Sequence, residues 1–172
     1  MVRAMFPGTF DPIHFGHIDI AKRASRIFDE VVIAVYDKPL KNLLFSPEER
    51  LSLVREAFQD SKNIKVMGYS GLTVNFAGAE DINVIIRGLR VFSDFEFEFR
   101  MALANHRLSA DVETVALITN EEHTFISSTT VREIAVLGGD VSSMVPAHVE
   151  EALRKKIASL GEQQPTANSL RD

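Results

Sequence analysis

The sequence predicts a single-domain α/β protein with a doubly wound, five-stranded parallel sheet and helices at its C-terminal end. Short β-branched runs alternate with longer helical stretches along most of the 172 residues, which is typical of right-handed βαβ units. Two runs, 31–36 and 84–86, are almost wholly apolar, as expected of strands that are covered on both faces. A chain of this length is sufficient for one domain with a sizeable core.

The five strands are predicted from short apolar runs. The first ends at Met5-Phe6, and the others cover 31–36, 64–67, 84–86 and 115–118. Valine and isoleucine dominate these runs, and both residue types favour strands.

Helices are predicted in the intervals. The first includes 18–24, directly after a loop that is rich in proline and glycine. The next begins after Ser46, which is followed by Pro47 at the first helical position and by Glu49 three residues on, as in a capping box. Residues 72–77 form a short helix that we expect Gly78 to end.

Residues 92–108 fit two patterns. Phe95, Phe97 and Phe99 alternate with glutamates, which is a strand pattern. A helix is also consistent, because one helical face collects Phe92, Phe95, Phe99, Ala102 and Leu103. We expect a helix, which leaves Phe97 off that face as an exposed aromatic suited to a subunit contact.

The last helix is predicted to open at Val145-Pro146 and to end at Gly161, with Val149, Leu153 and Ile157 on one stripe. Residues 1–160 then form the domain, and the polar residues 161–172 are expected to be a disordered tail.

Composition narrows the possible functions. Hydrophobic residues make up 45% of the chain and charged residues 25%, as in ordinary soluble proteins. The net charge of −5 argues against a nucleic-acid partner, and no apolar run approaches the roughly 20 residues of a membrane span. Cysteine is absent and no signal peptide is recognisable, so we expect a cytoplasmic protein without disulfides.

The loop 7–17 lies between a strand and a helix and contains two glycines, which is the usual setting for phosphate binding. Thr9 offers a hydroxyl there, and His17 can donate a hydrogen bond to an anion. His14 and His17 are three residues apart and should face the same side. An ordinary turn and a zinc site are the alternatives, and zinc would need a further ligand that the sequence does not reveal.

Two basic segments follow predicted strands. Residues 38–41 contain two lysines, which suit either a ligand loop or a solvated basic turn. Arg87 and Arg90 flank a glycine-bearing turn after the fourth strand, where they could fork onto phosphate oxygens. The alternative is that the two arginines form ion pairs with nearby carboxylates, for which the candidates are Asp94, Glu96 and Glu98.

The segment 123–132 carries four consecutive hydroxyl residues, 127–130, at the predicted start of a helix. Thr130 and Glu133 could form a capping box. One cap is sufficient for a helix, so the other hydroxyls suggest that this helix start faces an anion.

These motifs carry a resemblance. Residues 7–12 with the His-x-Gly-His of 14–17 resemble the signature of the nucleotidyltransferase superfamily, related to the class I aminoacyl-tRNA synthetase core. Together with 86–90, 94–96 and 125–129, the match narrows to the bacterial phosphopantetheine adenylyltransferase family. The resemblance covers about residues 3–159 and implies a Rossmann-like fold.

The resemblance implies an enzyme that transfers the adenylyl group of ATP to 4′-phosphopantetheine. The products would be dephospho-coenzyme A and pyrophosphate, formed by in-line attack of the substrate phosphate without a covalent enzyme intermediate. It also implies a homohexamer and inhibition by coenzyme A. We expect Mg²⁺ to arrive on the ATP phosphates, because the sequence shows no carboxylate cluster that suggests a dedicated site. A sister transferase that uses another acceptor and a nucleotide-binding regulator without catalysis are the competing hypotheses.

The same resemblance assigns roles to residues. His17 would stabilise the transition state, assisted by Thr9. The contacts to 4′-phosphopantetheine would be Thr9, Lys41, Thr73 and Arg87. The contacts to ATP would be Thr9, Phe10, His17, Gly88, Leu89, Arg90, Glu98, His123, Thr124, Phe125, Ile126, Ser127, Ser128 and Thr129. No dedicated metal ligands are expected.

Overall fold

The computed structural model describes residues 1–39 and 42–161, and it has the predicted parallel sheet. The strands are β1 (Arg3–Gly8), β2 (Glu30–Tyr36), β3 (Ile64–Tyr69), β4 (Val84–Leu89) and β5 (Glu113–Ile118). The helices are α1 (Phe15–Ala24), α2 (Pro47–Ala57), α3 (Thr73–Ala79), α4 (Phe92–Leu108), α5 (Ser128–Val136) and α6 (Ala147–Gly161). The strand order is β3-β2-β1-β4-β5, so β1 lies in the centre.

The central strands send alternate side chains to opposite faces of the sheet. Ala4 and Phe6 of β1 belong to one core cluster, with residues of α1, α2, α5 and α6. Met5 belongs to a second, smaller cluster on the other face, where Val74 and Ala77 of α3 pack. Burial on both faces explains the continuous apolar run of β2, in which only Tyr36 is not fully buried.

One helix boundary follows the predicted chemistry, and two others, the end of α3 and the start of α5, differ from it. The Ser46 hydroxyl accepts the Glu49 amide hydrogen at 3.2 Å, and α2 begins at Pro47 as predicted. Gly78 does not end α3; the helix continues to Ala79, and the left-handed backbone occurs at Asp81, with φ 55°. Thr130 is not the cap of α5, because its own amide hydrogen is capped by the hydroxyl of Ser127.

Helix α4 confirms the helical interpretation of 92–108 but corrects its orientation. No residue of α4 is buried, and Phe92 and Phe95 of the expected inner face are 89% and 50% exposed. The least exposed positions are instead Asp94, Glu98, Ala102 and Asn105, at spacings of four, four and three residues. The helix therefore turns a polar stripe inward and its phenylalanines outward.

The last helix ends at Gly161 as predicted, so this residue belongs to α6 and not to the tail. The remainder of the predicted tail, 162–172, lies outside the described residues. Within the part of the chain that is described, no helix is long and apolar enough to cross a membrane.

Candidate functional site

A crevice opens in the sheet between β1 and β4. Strand β1 pairs with β2 through six residue pairs, but with β4 only through Ala4–Val84 and Met5–Ile85. Beyond these pairs the two strands diverge toward their carboxyl ends. Because the chain also reverses its direction of sheet growth at β1, this is the position at which open α/β sheets bind ligands.

A cavity of about 340 Å³ lies in this crevice. Four segments that are distant in sequence contribute its polar lining. The predicted site residues in its wall are Thr9, Phe10, His17, Arg87, Gly88, Arg90, Glu98, Ser127, Ser128 and Thr129.

His14 and His17 form a reciprocal cap at the start of α1. The Nδ1 atom of His14 accepts the His17 amide hydrogen at 3.4 Å, and the Nδ1 atom of His17 accepts the His14 amide hydrogen at 3.3 Å. The two rings stack with centroids 3.6 Å apart. Gly16 leaves room for this arrangement, because a Cβ atom would lie 3.0 Å from the His14 ring and the ring would have to shift. The predicted pairing of the histidines on one side is confirmed.

Both imidazoles are held in the uncharged form. Burial lowers the pKa of His14 to about 3, with smaller contributions from Arg90 and His123. Burial also lowers the pKa of His17 well below its ordinary value, and the neighbouring His14, Arg90 and Arg87 lower it further. At neutral pH the cavity therefore contains neutral histidines and charged arginines.

Two buried ionic side chains attach the loop after β1 to other elements. The Asp11 carboxylate accepts the amide hydrogens of Leu44 and Phe45 at 2.8 and 2.9 Å, just before α2. Arg132 of α5 donates to the Asp11 carbonyl, and its guanidinium lies 3.4 Å from the Asp11 carboxylate. The loop is thus fixed on both sides by charge-assisted contacts.

Arg50 of α2 is fully buried and adds a third attachment. Its guanidinium donates to the carbonyl oxygens of Thr9 at 2.7 Å and Tyr36 at 2.6 Å. It also reaches the carbonyl oxygens of Phe45 and Asp37, at 3.3 and 3.2 Å. One side chain therefore connects the loops that follow β1 and β2.

Arg87, Gly88 and Leu89 belong to β4 itself, so the expected turn after this strand contains only Arg90 of the four. The Arg87 guanidinium spans the crevice and donates to the Pro7 carbonyl at 2.9 Å. It is also held by both carboxylate oxygens of Glu98, each at 2.6 Å.

Arg90 is held in the same way by Asp94, with two guanidinium contacts of 3.1 Å, and it donates to the Ile126 carbonyl. Both arginines therefore form the ion pairs that were the alternative to phosphate binding. Ion pairing does not remove them from the cavity wall, because each uses only three of its five N–H donors in these bonds.

The start of α5 completes the wall. Ser127, Ser128 and Thr129 line the cavity, together with Arg132 from the next turn. The Ser128 hydroxyl donates to the Pro12 carbonyl at 2.9 Å, which attaches this helix to the loop after β1. The positive end of the helix dipole faces the cavity.

Several residues named from the sequence lie elsewhere. Lys41 falls outside the described residues. Thr73 begins α3 and its hydroxyl lies 3.1 Å from that of Tyr69, away from the cavity wall. The following predicted ATP contacts also do not line the cavity: Leu89, His123, Thr124, Phe125 and Ile126.

Comparison with known proteins identifies the family. Residues 5–134 match the family model described as cytidylyltransferase-like. A phosphopantetheine adenylyltransferase of Cupriavidus taiwanensis is 52% identical over 158 residues, which cover 92% of this chain and 98% of the relative. That of Roseiflexus sp. (strain RS-1) is 51% identical over 155 residues, covering 90% and 97%. The chain belongs to the phosphopantetheine adenylyltransferase family.

The family fold extends to more distant proteins. The crystal structure of a lipopolysaccharide core biosynthesis protein from Thermoplasma volcanium GSS1 superposes with a TM-score of 0.54 and covers 70% of this chain and 99% of its own. At 24% identity this likeness concerns the fold alone.

Sequence reasoning missed three side chains that shape the candidate site. Arg50, Asp11 and Arg132 are ionic residues that are buried or nearly so. The sequence did offer a signal for them, because each lies beside apolar residues on a helix face or in a motif. A charged side chain at such a position is expected to be buried and to need a partner. The described residues contain no group of three or more side chains suited to hold a metal ion.

Proposed function

We propose that this chain transfers the adenylyl group of ATP to 4′-phosphopantetheine, forming dephospho-coenzyme A and pyrophosphate in the penultimate step of coenzyme A synthesis. The observation that carries the proposal is about 50% identity, over nearly full length, to relatives that are named phosphopantetheine adenylyltransferase. The cavity supports it, because Thr9, His17, Arg87 and Arg90 converge there with unused hydrogen-bond donors suited to phosphates.

The chemistry needs no general base. A phosphate monoester has its second pKa near ~6, so the acceptor phosphate is already ionised at neutral pH. One of its oxygens forms a bond to the α-phosphorus of ATP while the bond to the bridging oxygen breaks, and pyrophosphate leaves. Catalysis then consists of alignment and of charge stabilisation on the phosphorus oxygens.

The residue roles in this proposal are those that the family resemblance implies, and the cavity supports those of Thr9, His17, Arg87 and Arg90, which line it. His17, Thr9 and Arg90 contact the phosphates of ATP, and His17 stabilises the charge that develops at the α-phosphorus. Arg87 holds the acceptor phosphate, with Lys41 as its partner in the same role. The remaining predicted contacts, including Thr73 and the segment 123–126, are proposed from the family resemblance as further contacts to the two substrates.

Magnesium enters this proposal as part of the substrate. Mg²⁺ bound to ATP oxygens keeps most of its other ligands as water and needs few protein groups. The cytoplasm is the compartment that we assign to the reaction, because it supplies MgATP.

Assembly is a further part of the proposal. Helix α4 exposes four phenylalanines, Phe92, Phe95, Phe97 and Phe99. An exposed apolar surface of this kind suits contact with another copy of the chain, and a homohexamer is the assembly we propose. Coenzyme A contains the whole of the product dephospho-coenzyme A, so it can occupy the same cavity and act as a feedback inhibitor.

One assay tests the central reaction. Pyrophosphate release is measured with MgATP and a panel of acceptors: 4′-phosphopantetheine, nicotinamide mononucleotide and a phosphorylated polyol. We expect turnover with 4′-phosphopantetheine, and ATP synthesis when dephospho-coenzyme A and pyrophosphate are added instead. Turnover only with another acceptor would identify a sister transferase, and tight ATP binding without any turnover would identify a regulator.

A further inference from the structure

The two histidines of the loop after β1 are bonded to each other's backbone. Each Nδ1 atom accepts the amide hydrogen of the other residue, at 3.3 and 3.4 Å. The rings are nearly parallel, with an interplanar angle of 23°. Both rings line the cavity, and His14 is almost completely buried.

This arrangement determines where the ring hydrogens lie. A nitrogen that accepts a hydrogen bond carries no hydrogen, so the hydrogen of each neutral ring is on Nε2. In His17 the Nε2 atom is on the side of the ring away from the His14 amide. A ring that lines the cavity can therefore offer Nε2–H as a donor without any rearrangement.

The surrounding groups oppose a charge on His17. Arg87 of β4 and Arg90 after it are the cations that face the ring, and the stacked His14 is the third group that lowers its pKa. His123 lies next to His14 and adds to the same effect. The carboxylates Glu98 and Asp94, which also line the cavity, are bound to the two arginines. A proton on Nδ1 would also break the bond from the His14 amide.

We propose that His14 is a positioning residue that presents His17 to the nucleotide as a neutral ring with its hydrogen on Nε2. The stacked ring holds the plane of His17, and its Nδ1 atom caps the helix that carries His17. The inference rests on the proposed function only for what His17 contacts; the state of the two rings can be measured without turnover.

The first test uses the unaltered full chain. Its five histidines can be distinguished by ring ¹⁵N chemical shifts, assigned with His106→Ser, His123→Ser and His148→Ser variants, and the His14→Ser variant separates the last two, His14 and His17. We expect both His14 and His17 to carry hydrogen on Nε2 and neither to become protonated between pH 7 and about 5. A hydrogen on Nδ1 of His17, or its protonation near the ordinary imidazole value, would overturn the proposal.

The second test uses His14→Ser. Serine keeps an N-cap oxygen that can accept the amide hydrogen of residue 17, so the helix start is retained while the stacked ring is lost. We expect the pKa of His17 to rise toward its ordinary value, because the stacked ring that shields it from water is gone, while Arg87 and Arg90 still hold it below that value. An unchanged His17 titration in this variant would show that His14 is a cap and nothing more.

The third test measures rates, and it uses a ratio of two enzymes so that the pH dependence caused by ionisation of the substrates is removed. The ratio of variant to wild-type kcat for pyrophosphate release is taken at each pH from 8 to 6. We expect the ratio to fall as the pH falls, since only the variant gains a protonated His17, whose Nδ1 atom can no longer accept the amide hydrogen of residue 14 that orients the ring. A flat ratio would contradict the proposal. If neither protein turns over 4′-phosphopantetheine, the proposed function fails while the ¹⁵N shifts still decide the role of His14.

Discussion

The two sides of the cavity are held by different kinds of contact. On the β1 side, the loop with Thr9 and His17 is fixed by buried groups: Asp11, Arg50 and the stacked His14. On the α4 side, the positions of the arginines depend on carboxylates of a helix without a single buried residue.

The loop after β1 is therefore preorganised, whereas the two arginines on the α4 side can change their positions. Hydrogen bonds to carbonyls in the core are shielded from water and persist in the absence of ligand. The ion pairs of α4 are partly exposed, at 29% and 14% for Arg87 and Glu98, so water and salt weaken them. In the proposed reaction the substrates would therefore meet a fixed loop on the β1 side, while Arg87 and Arg90 on the α4 side could exchange carboxylate partners for substrate phosphates.

Breaking the buried side should have the largest effect. Arg50→Met removes the donor to four carbonyl oxygens and should lower the free energy of unfolding by about 3–5 kcal/mol, measured by urea denaturation. Arg55→Met, at an exposed site on the same helix, is the matched control and should cost less than about 0.5 kcal/mol. Equal losses in the two variants would mean that the guanidinium of Arg50 does not hold the loops together.

Removing the proposed transition-state stabiliser on the same side should affect catalysis more than folding. His17→Ala should lower kcat by about 10²–10³, equivalent to ~3–4 kcal/mol, with little change in ATP affinity. Steady-state kinetics and ATP titration separate the two quantities, and His106→Ala on the exposed part of α4 is the control. If kcat is maintained and only KM rises, His17 contributes binding in the ground state.

The adjustable side should respond more weakly. Glu98→Gln loses the bidentate ion pair with Arg87, so the guanidinium is less firmly oriented, and KM for 4′-phosphopantetheine should rise about three- to tenfold. Glu96→Gln makes the same change on the outer face of α4 and should have no effect. A fall in KM would instead show that Glu98 competes with the substrate phosphate, and a rise confined to KM for ATP would favour the contact predicted from the sequence.

The outer face of α4 should matter least to the isolated chain. Phe92 is 89% exposed, so Phe92→Ser should change the free energy of unfolding by less than about 0.5 kcal/mol. If α4 is a subunit contact, sedimentation velocity should show smaller particles for this variant. Leu137→Ser, at an equally exposed apolar site on another element, should leave the sedimentation coefficient unchanged.

Local sequence patterns predicted the parts of the fold that depend on neighbouring residues. The five strands, the Ser46 cap and the facing of His14 and His17 follow from short-range spacing and are confirmed. The orientation of α4 was wrong because periodicity defines two faces of a helix and does not say which one is inside.

Long-range contacts account for most of what was missed at the site. Asp11 bonds to a segment 33 residues away, and Arg50 reaches Thr9 across 41 residues. Neither contact leaves a local pattern, since each depends on two loops that meet only when the sheet has formed. The roles of individual residues toward substrates stay predictions.

The divergence of β1 from β4 has a thermodynamic consequence. The sheet consists of two groups of strands, β3-β2-β1 and β4-β5, which are joined by only two residue pairs between β1 and β4. A nucleotide in the crevice would contact both groups of strands. Its hydrogen bonds would connect β1 and β4 where the two backbones do not pair. Occupancy of the crevice by the nucleotide would then raise the free energy of unfolding. A ligand at 100 times its Kd adds about 2.7 kcal/mol to it. Substrate would thus act as a structural member of the sheet.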